Sequence, residues 1–560
     1  MPDSIIENIR PQLLGMPAYY KDWRPTQATA IDDIINDESR ISVIQAPVGV
    51  GKSAIAIAAA KLMDIRSVYL TFTKALQDQL ISDFAPTGLK LIKGRDNYTC
   101  INSPQESVSC EIWGRFCADN SCGLGRHSQC NALDCESWAN NCCYRLAYQD
   151  AIQSRLVVAN YAYWVNVTRP TAPGLGDVGN PVDLLILDEA HNAPDGLCDL
   201  LAINFTSRQI NEYGGKLFPE DLDNIESWQA WAVQQAAIIA EETQRLAELG
   251  RDVVLSRASA EQSRQRDRYT RKIGDILNMQ GLWVVEPIEY PHRAWDLKPV
   301  HAFQHVESRL FHGIKKVLIM SGTLTPKTIQ LMGIAAGNYN WHSYPYMFPK
   351  RNAPIYAIKT IALKFTSTPE EKEKLFRTAA NIMKQRSNRS GIIHTVSYHL
   401  AKEFMLWLRN YDRVLARMCV THERHNTADI VSEFKKAKLP QILISPSVTT
   451  GYDFPQEECE YVIWLKLPFP NMHTPVMQAR AARDKSYSGY LMVQELAQGV
   501  GRGMRSASDY CESFILDDNW VKWAGKAYAK FLPRYLKIQS LSSVPRPPLS
   551  IADRREQGAV

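Results

Sequence analysis

Long hydrophobic runs are absent from this 560-residue sequence. A helix that crosses a membrane needs about 18 consecutive apolar residues, and the longest apolar run, around Ala54–Ala60, ends at Lys61. The first segment, 1–10, is acidic and short of apolar side chains, so it does not fit a secretory signal. These absences predict a soluble protein that works inside the cell, in the cytoplasm or, in a nucleated host, in the nucleus.

A strong excess of one charge is also absent, because 64 Lys and Arg residues face 59 Asp and Glu residues. Any contact with a polyanion must therefore use a local basic surface. Internal repeats and long low-complexity tracts are lacking. The hydrophobic fraction of 45% and the charged fraction of 22% exclude a disordered, collagen-like or fibrous chain. A chain of this length exceeds one hydrophobic core, so we expect two to four domains.

Short β-branched segments followed by helical stretches recur in both halves of the chain, a pattern typical of parallel sheets with crossover helices. The expected strands are 41–46, 67–71, 155–159, 183–187 and 316–320 in the first half, and 390–394, 441–445, 461–465 and 513–517 in the second. The economical interpretation is two α/β units. We expect a loose, proline-rich tail after Val544.

Two insertions are predicted to interrupt the first unit. One is a cysteine-rich segment at about 95–145. The other, at about 195–305, is predicted to be helical, with an apolar stripe formed by Trp228, Trp231, Ile238, Leu246 and Leu249. A second helix over about 255–280 carries an excess of basic side chains, which would either touch phosphates or form a solvated helix face.

Cysteine is concentrated in one place. Eight of the twelve cysteines lie between 100 and 143, namely Cys100, Cys110, Cys117, Cys122, Cys130, Cys135, Cys142 and Cys143. Without an export signal, thiolates that hold a metal or an iron–sulfur cluster are a better interpretation than disulfides. The other four, Cys198, Cys419, Cys459 and Cys511, are scattered and are interpreted as inert core thiols.

A phosphate-binding loop is predicted where the strand 41–46 runs into the sequence AlaProValGlyValGlyLysSer (46–53) and then a helical stretch. Gly49 and Gly51 would let main-chain N–H groups surround phosphate oxygens. Lys52 would reach the β- and γ-phosphates of ATP, and the Ser53 hydroxyl would hold Mg²⁺. Ala46 stands where the strict motif has its first glycine, so the match is to the looser form.

Two acidic residues follow the apolar strand 183–187, in the sequence AspGluAlaHis. Asp188 would coordinate Mg²⁺, mostly through water molecules. Glu189 would orient and deprotonate the attacking water, and His191 would couple the site to a moving domain. Taken alone, this segment would also fit a surface loop. The interpretation as part of a nucleotide site is favoured because the segment follows a strand of the buried type, in the same unit as the phosphate-binding loop.

A basic segment of the second half, 498–505, contains Gln498, Arg502 and Arg505. Two arginines three residues apart share one helix face, and guanidinium groups stabilise the charge that develops on a transferring phosphoryl group. A solvent-exposed basic turn is the alternative. Together with the phosphate-binding loop, the segment favours arginines that reach a nucleotide from the second unit.

Taken in order, these segments resemble the XPD/DinG family of iron–sulfur superfamily 2 DNA helicases. The further segments that carry the resemblance are Arg24–Gln27 (the adenine-side glutamine motif), Thr71–Gln79 (the DNA-contacting motif), Lys93–Cys100 (the approach to the first cluster cysteine), Asp188–His191 (the DEAH box), Ser321–Pro326, Thr450–Pro455, Lys466–Pro470 and Gln498–Arg505. The family more often has alanine where this chain has Gly322.

The resemblance implies an ATP-driven motor that unwinds DNA in the 5′→3′ direction, acts on single-stranded and forked DNA in processes such as repair, works as a monomer and does not bind membranes. It implies a first RecA-like domain formed by 1–94, 146–194 and 306–335, an iron–sulfur domain at 95–145, a helical arch at 195–305 and a second RecA-like domain at 336–560. It also implies that the nucleotide contacts Arg24, Gln27, Ala46, Pro47, Gly49, Gly51, Lys52, Ser53 and Asp453.

A [4Fe–4S] cluster needs four of the eight thiols. By resemblance Cys100 matches the first family position and Cys142 the last, with Cys143 as the rival, and Cys130 and Cys135 are the preferred middle pair. An alternative zinc site could use the spare thiols and one imidazole, Cys110, Cys117, Cys122 and His127.

The DNA-contacting motif offers polar donors, namely Thr71, Thr73, Lys74 and Gln77. The aromatic residues Tyr161, Tyr163 and Trp164 follow a strand and would either stack on bases or belong to the core. Two other functions stay open. One is a translocase that remodels nucleoprotein without processive unwinding, and the other is a nucleotide-gated DNA-binding module with negligible turnover.

Overall fold

A computed structural model describes residues 6, 9–47, 49–94, 97–98, 143–167, 181–248, 257–289, 292–364, 366–449, 452, 454–500, 503–504, 506 and 508–556. In these ranges no helix has the length and apolar character that a membrane crossing requires.

The strands of the described residues are, in chain order, β1 (Ile41–Gln45), β2 (Ser67–Thr71), β3 (Lys90–Leu91), β4 (Leu156–Asn160), β5 (Leu184–Leu187), β6 (Ile203–Thr206), β7 (Trp283–Ile288), β8 (Ala294–Pro299), β9 (Lys316–Ser321), β10 (Asn340–Ser343), β11 (Ile355–Ile361), β12 (Gly391–His394), β13 (Cys419–Thr421), β14 (Ile442–Ser445), β15 (Tyr461–Trp464), β16 (Glu512–Asp517) and β17 (Ile538–Leu541).

The α-helices of the same residues are α1 (Pro25–Asn36), α2 (Lys52–Met63), α3 (Lys74–Phe84), α4 (Cys143–Gln153), α5 (Tyr161–Val167), α6 (Ala193–Leu201), α7 (Ser207–Tyr213), α8 (Ile225–Glu248), α9 (Arg257–Leu277), α10 (Pro326–Leu331), α11 (Pro369–Gln385), α12 (Tyr398–Tyr411), α13 (Arg413–Met418), α14 (Thr427–Lys436), α15 (Pro475–Arg483), α16 (Tyr487–Val500), α17 (Gly525–Tyr528) and α18 (Ile551–Glu556).

Two parallel sheets form the body of the protein, which confirms the predicted pair of α/β units. Among the described strands, the first sheet has the order β10-β1-β9-β5-β2-β4-β3 and the second the order β13-β14-β12-β15-β16-β11-β17. The central strands are buried along their whole length. Apolar clusters cover both faces of each sheet, as expected for parallel strands joined by crossover helices.

The predicted helical insertion also contains a sheet. Strands β6, β8 and β7 form an antiparallel sheet in that order, and the long helices α8 and α9 pack against it. Their shared core is aromatic: Phe205 lies 5.4 Å from Trp231 and 5.9 Å from Tyr269 between ring centroids. The prediction of helix alone is therefore wrong for this segment, because three strands supply half of its core.

The boundary between the units also differs from the prediction. We placed the end of the first unit at 335, yet β10 pairs with β1 as the outermost strand of the first sheet. Its sequence, Asn-Trp-His-Ser, is mostly polar, and its side chains are half-buried or exposed. An edge strand of this kind lacks the apolar run that identified the inner strands.

The proline-rich tail is docked rather than loose, so that prediction is wrong. The Arg386 guanidinium donates to the main-chain oxygen of Pro545 at 3.3 Å, and the Glu460 carboxylate accepts from the main-chain N–H of Ile551 at 2.9 Å. Ile551 is buried. Buried charged groups of the second sheet therefore hold the tail in place.

Candidate nucleotide-binding cleft

The loop between β1 and α2 has the conformation that a phosphate-binding loop requires. Gly49 and Gly51 have φ values of 84° and 87°, in the left-handed region that favours glycine. A Cβ at Gly51 would lie 2.7 Å from Nε2 of Gln27, so a side chain would also clash. Lys52 is the first residue of α2, and its N-terminal main-chain N–H groups face the loop.

Arg24 and Gln27 support this loop from α1. Nε2 of the buried Gln27 donates to the main-chain oxygen of Val50 at 2.8 Å, and Oε1 accepts from the main-chain N–H of Arg24 at 3.1 Å. The exposed Arg24 guanidinium donates to the main-chain oxygen of Gly49 at 3.0 Å. The predicted adenine-side residues therefore lie beside the loop, as do the buried Ala46 and Pro47.

Ser53 and Asp188 meet at a tyrosine that the sequence analysis did not single out. The Tyr69 hydroxyl, on β2, lies 2.9 Å from Oδ2 of Asp188 and 3.2 Å from Oγ of Ser53. Hydroxyl and carboxylate oxygens are the ligands that Mg²⁺ prefers. Both oxygens are hydrogen-bonded to the same phenol oxygen, and their chemistry fits the pair that would hold a magnesium ion.

Asp188 is buried at the end of β5. Burial and the neighbouring Glu189 carboxylate raise the pKa of Asp188 to about 6, although Lys52 and the Tyr69 hydroxyl act in the opposite direction. One oxygen, Oδ1, accepts from the main-chain N–H of Glu189 at 2.9 Å. A buried, partly compensated carboxylate of this kind is suited to a cation.

Glu189, His191 and Ser321 form a connected group. Glu189 has a φ of 47°, a strained conformation for a residue with a side chain. The Ser321 hydroxyl donates to Oε2 of Glu189 at 3.1 Å, and Nδ1 of His191 lies 2.8 Å from the same hydroxyl and 3.2 Å from Oε2 of Glu189. His191 thus links the end of β5 to the end of β9.

The second unit reaches this group through Gln498. Nε2 of Gln498, on α16, donates to Oγ1 of Thr323 at 2.7 Å. Lys52, Glu189 and Gln498 line one cavity between the two units, together with Gly322, Thr323, Tyr346, Ala353, Ile355, Ala497, Val500, Tyr535 and Leu536. The structure therefore brings the predicted lysine, carboxylate and glutamine to a single interdomain cleft.

Several predicted site residues lie outside the described residues, so nothing is stated of their positions: Arg502, Arg505, Asp453, Cys100, Cys130, Cys135 and Cys142. The alternative zinc ligands Cys110, Cys117, Cys122 and His127 lie outside them as well. Within the described ranges no three His, Cys, Asp or Glu side chains are grouped as a metal site would require.

A buried arginine joins the second unit to the predicted insertion. Arg480, on α15, forms an ion pair with Asp195 of α6 at 2.8 Å. Its Nε donates to the main-chain oxygen of Val300 at 2.7 Å, at the end of the insertion. The Tyr487 hydroxyl donates to the same Asp195. One side chain of the second unit thus contacts both ends of the predicted insertion, 195–305.

The predicted DNA-contacting residues separate into exposed and buried ones. Thr73 and Lys74 are exposed at the start of α3, although the Thr73 hydroxyl also accepts from the main-chain N–H of Leu76 at 3.2 Å. Thr71 and Gln77 are buried, and Nε2 of Gln77 donates to the main-chain oxygen of Ile92 at 3.2 Å. Only Thr73 and Lys74 of these four are presented at the surface.

The aromatic residues that follow β4 belong to the core. Tyr161, Tyr163 and Trp164 are buried. The Tyr161 ring stacks on Phe72 at 4.0 Å, and Nε1 of Trp164 donates to the main-chain oxygen of Leu310 at 2.8 Å. Of the two interpretations that the sequence left open, the core is the correct one, and none of the three is free to stack on a base.

Comparisons with known proteins agree with this architecture. The family described as "Helicase C-terminal domain" matches residues 380–539, and the family described as "Type III restriction enzyme, res subunit" matches residues 20–218. The ATP-dependent DNA helicase YoaA of Escherichia coli is 21% identical, over 86% of this chain and 88% of its own length. YoaA of Haemophilus influenzae is 26% identical, but over 34% of this chain and 36% of its own length.

Solved structures give the same fold. A structure of an XPD helicase superimposes with a TM-score of 0.61 at 14% identity, covering 93% of this chain and 100% of that one. The Xpd4 structure of S. tokodaii gives 0.53 at 12% identity, with 93% and 100% covered. At such identities the likeness establishes the fold alone. The chain spans about a third of the Haemophilus relative's length and most of the Escherichia relative's.

Proposed function

We propose that this chain, as a member of the XPD/DinG family of superfamily 2 helicases, hydrolyses ATP to move along single-stranded DNA and to unwind duplex DNA. The observation that carries this proposal is the interdomain cavity lined by Lys52 and Glu189 of the first unit and Gln498 of the second. A nucleotide bound there would be contacted by both units, so its hydrolysis would change how they pack.

The residues of the first unit would bind and orient the nucleotide. The loop at Gly49 and Gly51 presents main-chain N–H groups to phosphate oxygens, and Lys52 adds a positive charge. Ser53 and Asp188 would hold Mg²⁺, which neutralises phosphate charge when it is bound. Glu189 would accept a proton from the attacking water, since its carboxylate faces the cavity and is fixed by Ser321.

The residues of the second unit would complete the nucleotide site from the other side of the cleft. Gln498 already contacts Thr323 across the cleft, and it precedes Arg502 and Arg505, which we propose as the guanidinium groups that stabilise the transition state. Asp453 is a proposed nucleotide contact. In this scheme His191 and Ser321 couple the catalytic carboxylate to Thr323 and hence to Gln498.

The cysteine-rich segment is proposed to carry a [4Fe–4S] cluster. The support is chemical: eight thiols fall within 44 positions of the sequence, and four thiolates satisfy such a cluster. Cys100, Cys130, Cys135 and Cys142 are the proposed ligands. The 5′→3′ direction, the role of the insertion as an arch and the forked-DNA substrate are further parts of the proposal.

The test removes the charge of the phosphate-binding loop. In Lys52→Ala we expect ATP turnover with single-stranded DNA to fall by at least about 100-fold, because the lysine is the loop's only formal charge toward the phosphates, while DNA binding changes little. Lys90→Ala is the control, since Lys90 forms an exposed pair with Asp150. If Lys52→Ala lost DNA binding and turnover together, the assignment of the loop would be wrong.

Strand-displacement assays separate the remaining functions. A helicase displaces a strand from naked forked DNA, whereas a remodelling translocase displaces only a bound protein roadblock. A purified chain that hydrolyses no ATP at saturating single-stranded DNA would instead be a nucleotide-gated binding module.

A further inference from the structure

Tyr69 occupies a position between two groups that the nucleotide site needs. It lies on β2, between β4 and β5 in the first sheet, and its side chain is fully buried. Its hydroxyl is within hydrogen-bond distance of Asp188 Oδ2 (2.9 Å) and Ser53 Oγ (3.2 Å). One phenol oxygen therefore connects the end of β5 to the first turn of α2.

The direction of the two hydrogen bonds follows from the chemistry of the partners. An ionised carboxylate can only accept, so the Tyr69 hydroxyl hydrogen goes to Asp188. The phenol oxygen then accepts from the Ser53 hydroxyl.

The rest of Asp188 is fixed by other groups. Its Oδ1 accepts from the main-chain N–H of Glu189 at 2.9 Å, and its main-chain oxygen accepts from the Tyr161 hydroxyl at 3.2 Å. The orientation of Oδ2 relative to Ser53 depends on Tyr69. A buried protein hydroxyl performs this task without the entropy cost of ordering a water molecule.

We propose that Tyr69 is a positioning residue that holds Ser53 and Asp188 in register for Mg²⁺, so that it sets the affinity of the nucleotide site for the metal. This inference rests on the proposed function, because it concerns the same site. It assigns Tyr69 no contact with the nucleotide. Groups that orient metal ligands from behind commonly change metal affinity by about 10-fold or more when removed.

The substitution Tyr69→Phe removes one oxygen and keeps the buried ring. We expect the affinity for nucleotide in EDTA to stay within about twofold of wild type, because Lys52 and the loop N–H groups are unchanged. The Mg²⁺ concentration that gives half-maximal tightening of nucleotide binding should rise by roughly 10-fold. Turnover should approach the wild-type value at saturating Mg²⁺, since the metal ligands themselves remain.

The measurement is a titration of a fluorescent ATP analogue at a series of Mg²⁺ concentrations and in EDTA. Electron paramagnetic resonance of bound Mn²⁺ provides a direct second readout of the metal. Tyr163→Phe is the matched control, because it also removes a buried hydroxyl, one that lies 3.4 Å from the Tyr144 hydroxyl. We expect the control to match wild type in both readouts.

Ser53→Ala, made alone and in combination with Tyr69→Phe, tests whether the two hydroxyl groups act together. If Tyr69 acts through Ser53, the double variant should require little more Mg²⁺ than the more affected single variant, a non-additive result. An unchanged Mg²⁺ requirement in Tyr69→Phe would overturn the inference. An equal loss of affinity with and without metal would also overturn it, because Tyr69 would then only stabilise the loop.

The proposed function and this inference fail differently. If wild-type protein bound no nucleotide under any condition, the proposed function would fail and the inference with it. If wild type bound the magnesium complex normally and Tyr69→Phe did the same at every Mg²⁺ concentration, only the inference would be wrong.

Discussion

Each unit has a buried aspartate at the end of a strand, and the two carboxylates differ in their hydrogen-bond partners. Asp188 follows β5 of the first sheet, and its carboxylate accepts from a tyrosine hydroxyl and from the next main-chain N–H. Asp517 ends β16 of the second sheet. It accepts from three main-chain N–H groups at 3.1–3.3 Å, those of Leu363, Leu467 and Asn519, and from the Asn519 side chain at 2.8 Å.

The difference separates the carboxylate that we propose to hold Mg²⁺ from one that stabilises the fold. Burial raises the pKa of both residues. At Asp517 the surrounding backbone offsets that cost, and three loops of the second unit are tied to one side chain. At Asp188 fewer protein groups compensate the charge, which leaves the carboxylate able to gain from a cation at the cleft. Two aspartates at similar positions in parallel sheets can therefore have different roles.

The largest expected effect comes from Asp188→Asn. Without the charge, the site should lose most of its affinity for Mg²⁺, and ATP turnover should fall by at least about 100-fold. Because the substitution removes a buried charge and keeps the shape, the free energy of unfolding should be no lower than that of wild type. Steady-state ATP hydrolysis and urea unfolding would be measured on the same preparation.

An exposed aspartate of the second unit, Asp429, provides the control for both measurements. Asp429→Asn should leave turnover unchanged and should lower the free energy of unfolding by at most about 1 kcal/mol, because Asp429 lies in the first turn of α14. A turnover within threefold of wild type in Asp188→Asn would remove the distinction drawn between the two buried aspartates.

Asp517→Asn should show the reverse pattern. The amide would point an N–H₂ group at main-chain N–H donors, which leaves buried groups without acceptors, and each such loss costs about 1–3 kcal/mol. We expect the free energy of unfolding of the second unit to drop by about 2–4 kcal/mol. Nucleotide affinity, measured at low temperature where the variant is folded, should stay within about twofold of wild type. A variant as stable as wild type would contradict the structural role.

The nine strands that the sequence predicted agree with the structure to within about one residue, because continuous apolar segments such as Leu184–Leu187 are typical of strands buried on both faces. The inner strand Ile355–Ile361 of the second sheet was not among them. The edge strand Asn340–Ser343 has no such segment and was missed. The insertion strand Ile203–Thr206 did carry a signal in its sequence, since apolar and polar residue types alternate along it. Because the whole insertion was interpreted as helical, this strand was not predicted.

The candidate site was predictable only where a local motif exists. The glycines, lysine and acidic pair are recognisable from short segments. Tyr69 has no motif of its own, and its partner Asp188 is 119 residues away, so only the fold can reveal the contact. The same holds for Tyr161, Tyr163 and Trp164, because an aromatic residue after a strand suits a core and a stacking surface equally well.

The smallest effect is expected far from the cleft, at Lys272. This lysine of α9 belongs to the basic stretch that could have touched phosphates, yet its ammonium donates to the main-chain oxygen of Asn204 and to Gln209, and it lies 5.2 Å over the Phe205 ring. Burial, with Arg268 nearby, lowers the pKa of Lys272 to about 8. It is thus a half-buried charge that stabilises the fold.

The pH dependence of stability tests this role. Between pH 8 and the unfolded pKa of 10.5, the unfolded chain binds more protons at this site than the folded one, so stability should rise with pH; below pH 8 the residue adds no slope. Relative to Lys272→Met, wild type should gain about 1–2 kcal/mol between pH 8 and pH 9.5, measured by urea unfolding. ATP turnover at pH 7.5 should be the same in both proteins. If the two proteins differed in free energy of unfolding by the same amount at every pH in this range, the ammonium group would be solvated. If Lys272→Met lost DNA-stimulated ATP turnover, Lys272 would instead contact nucleic acid.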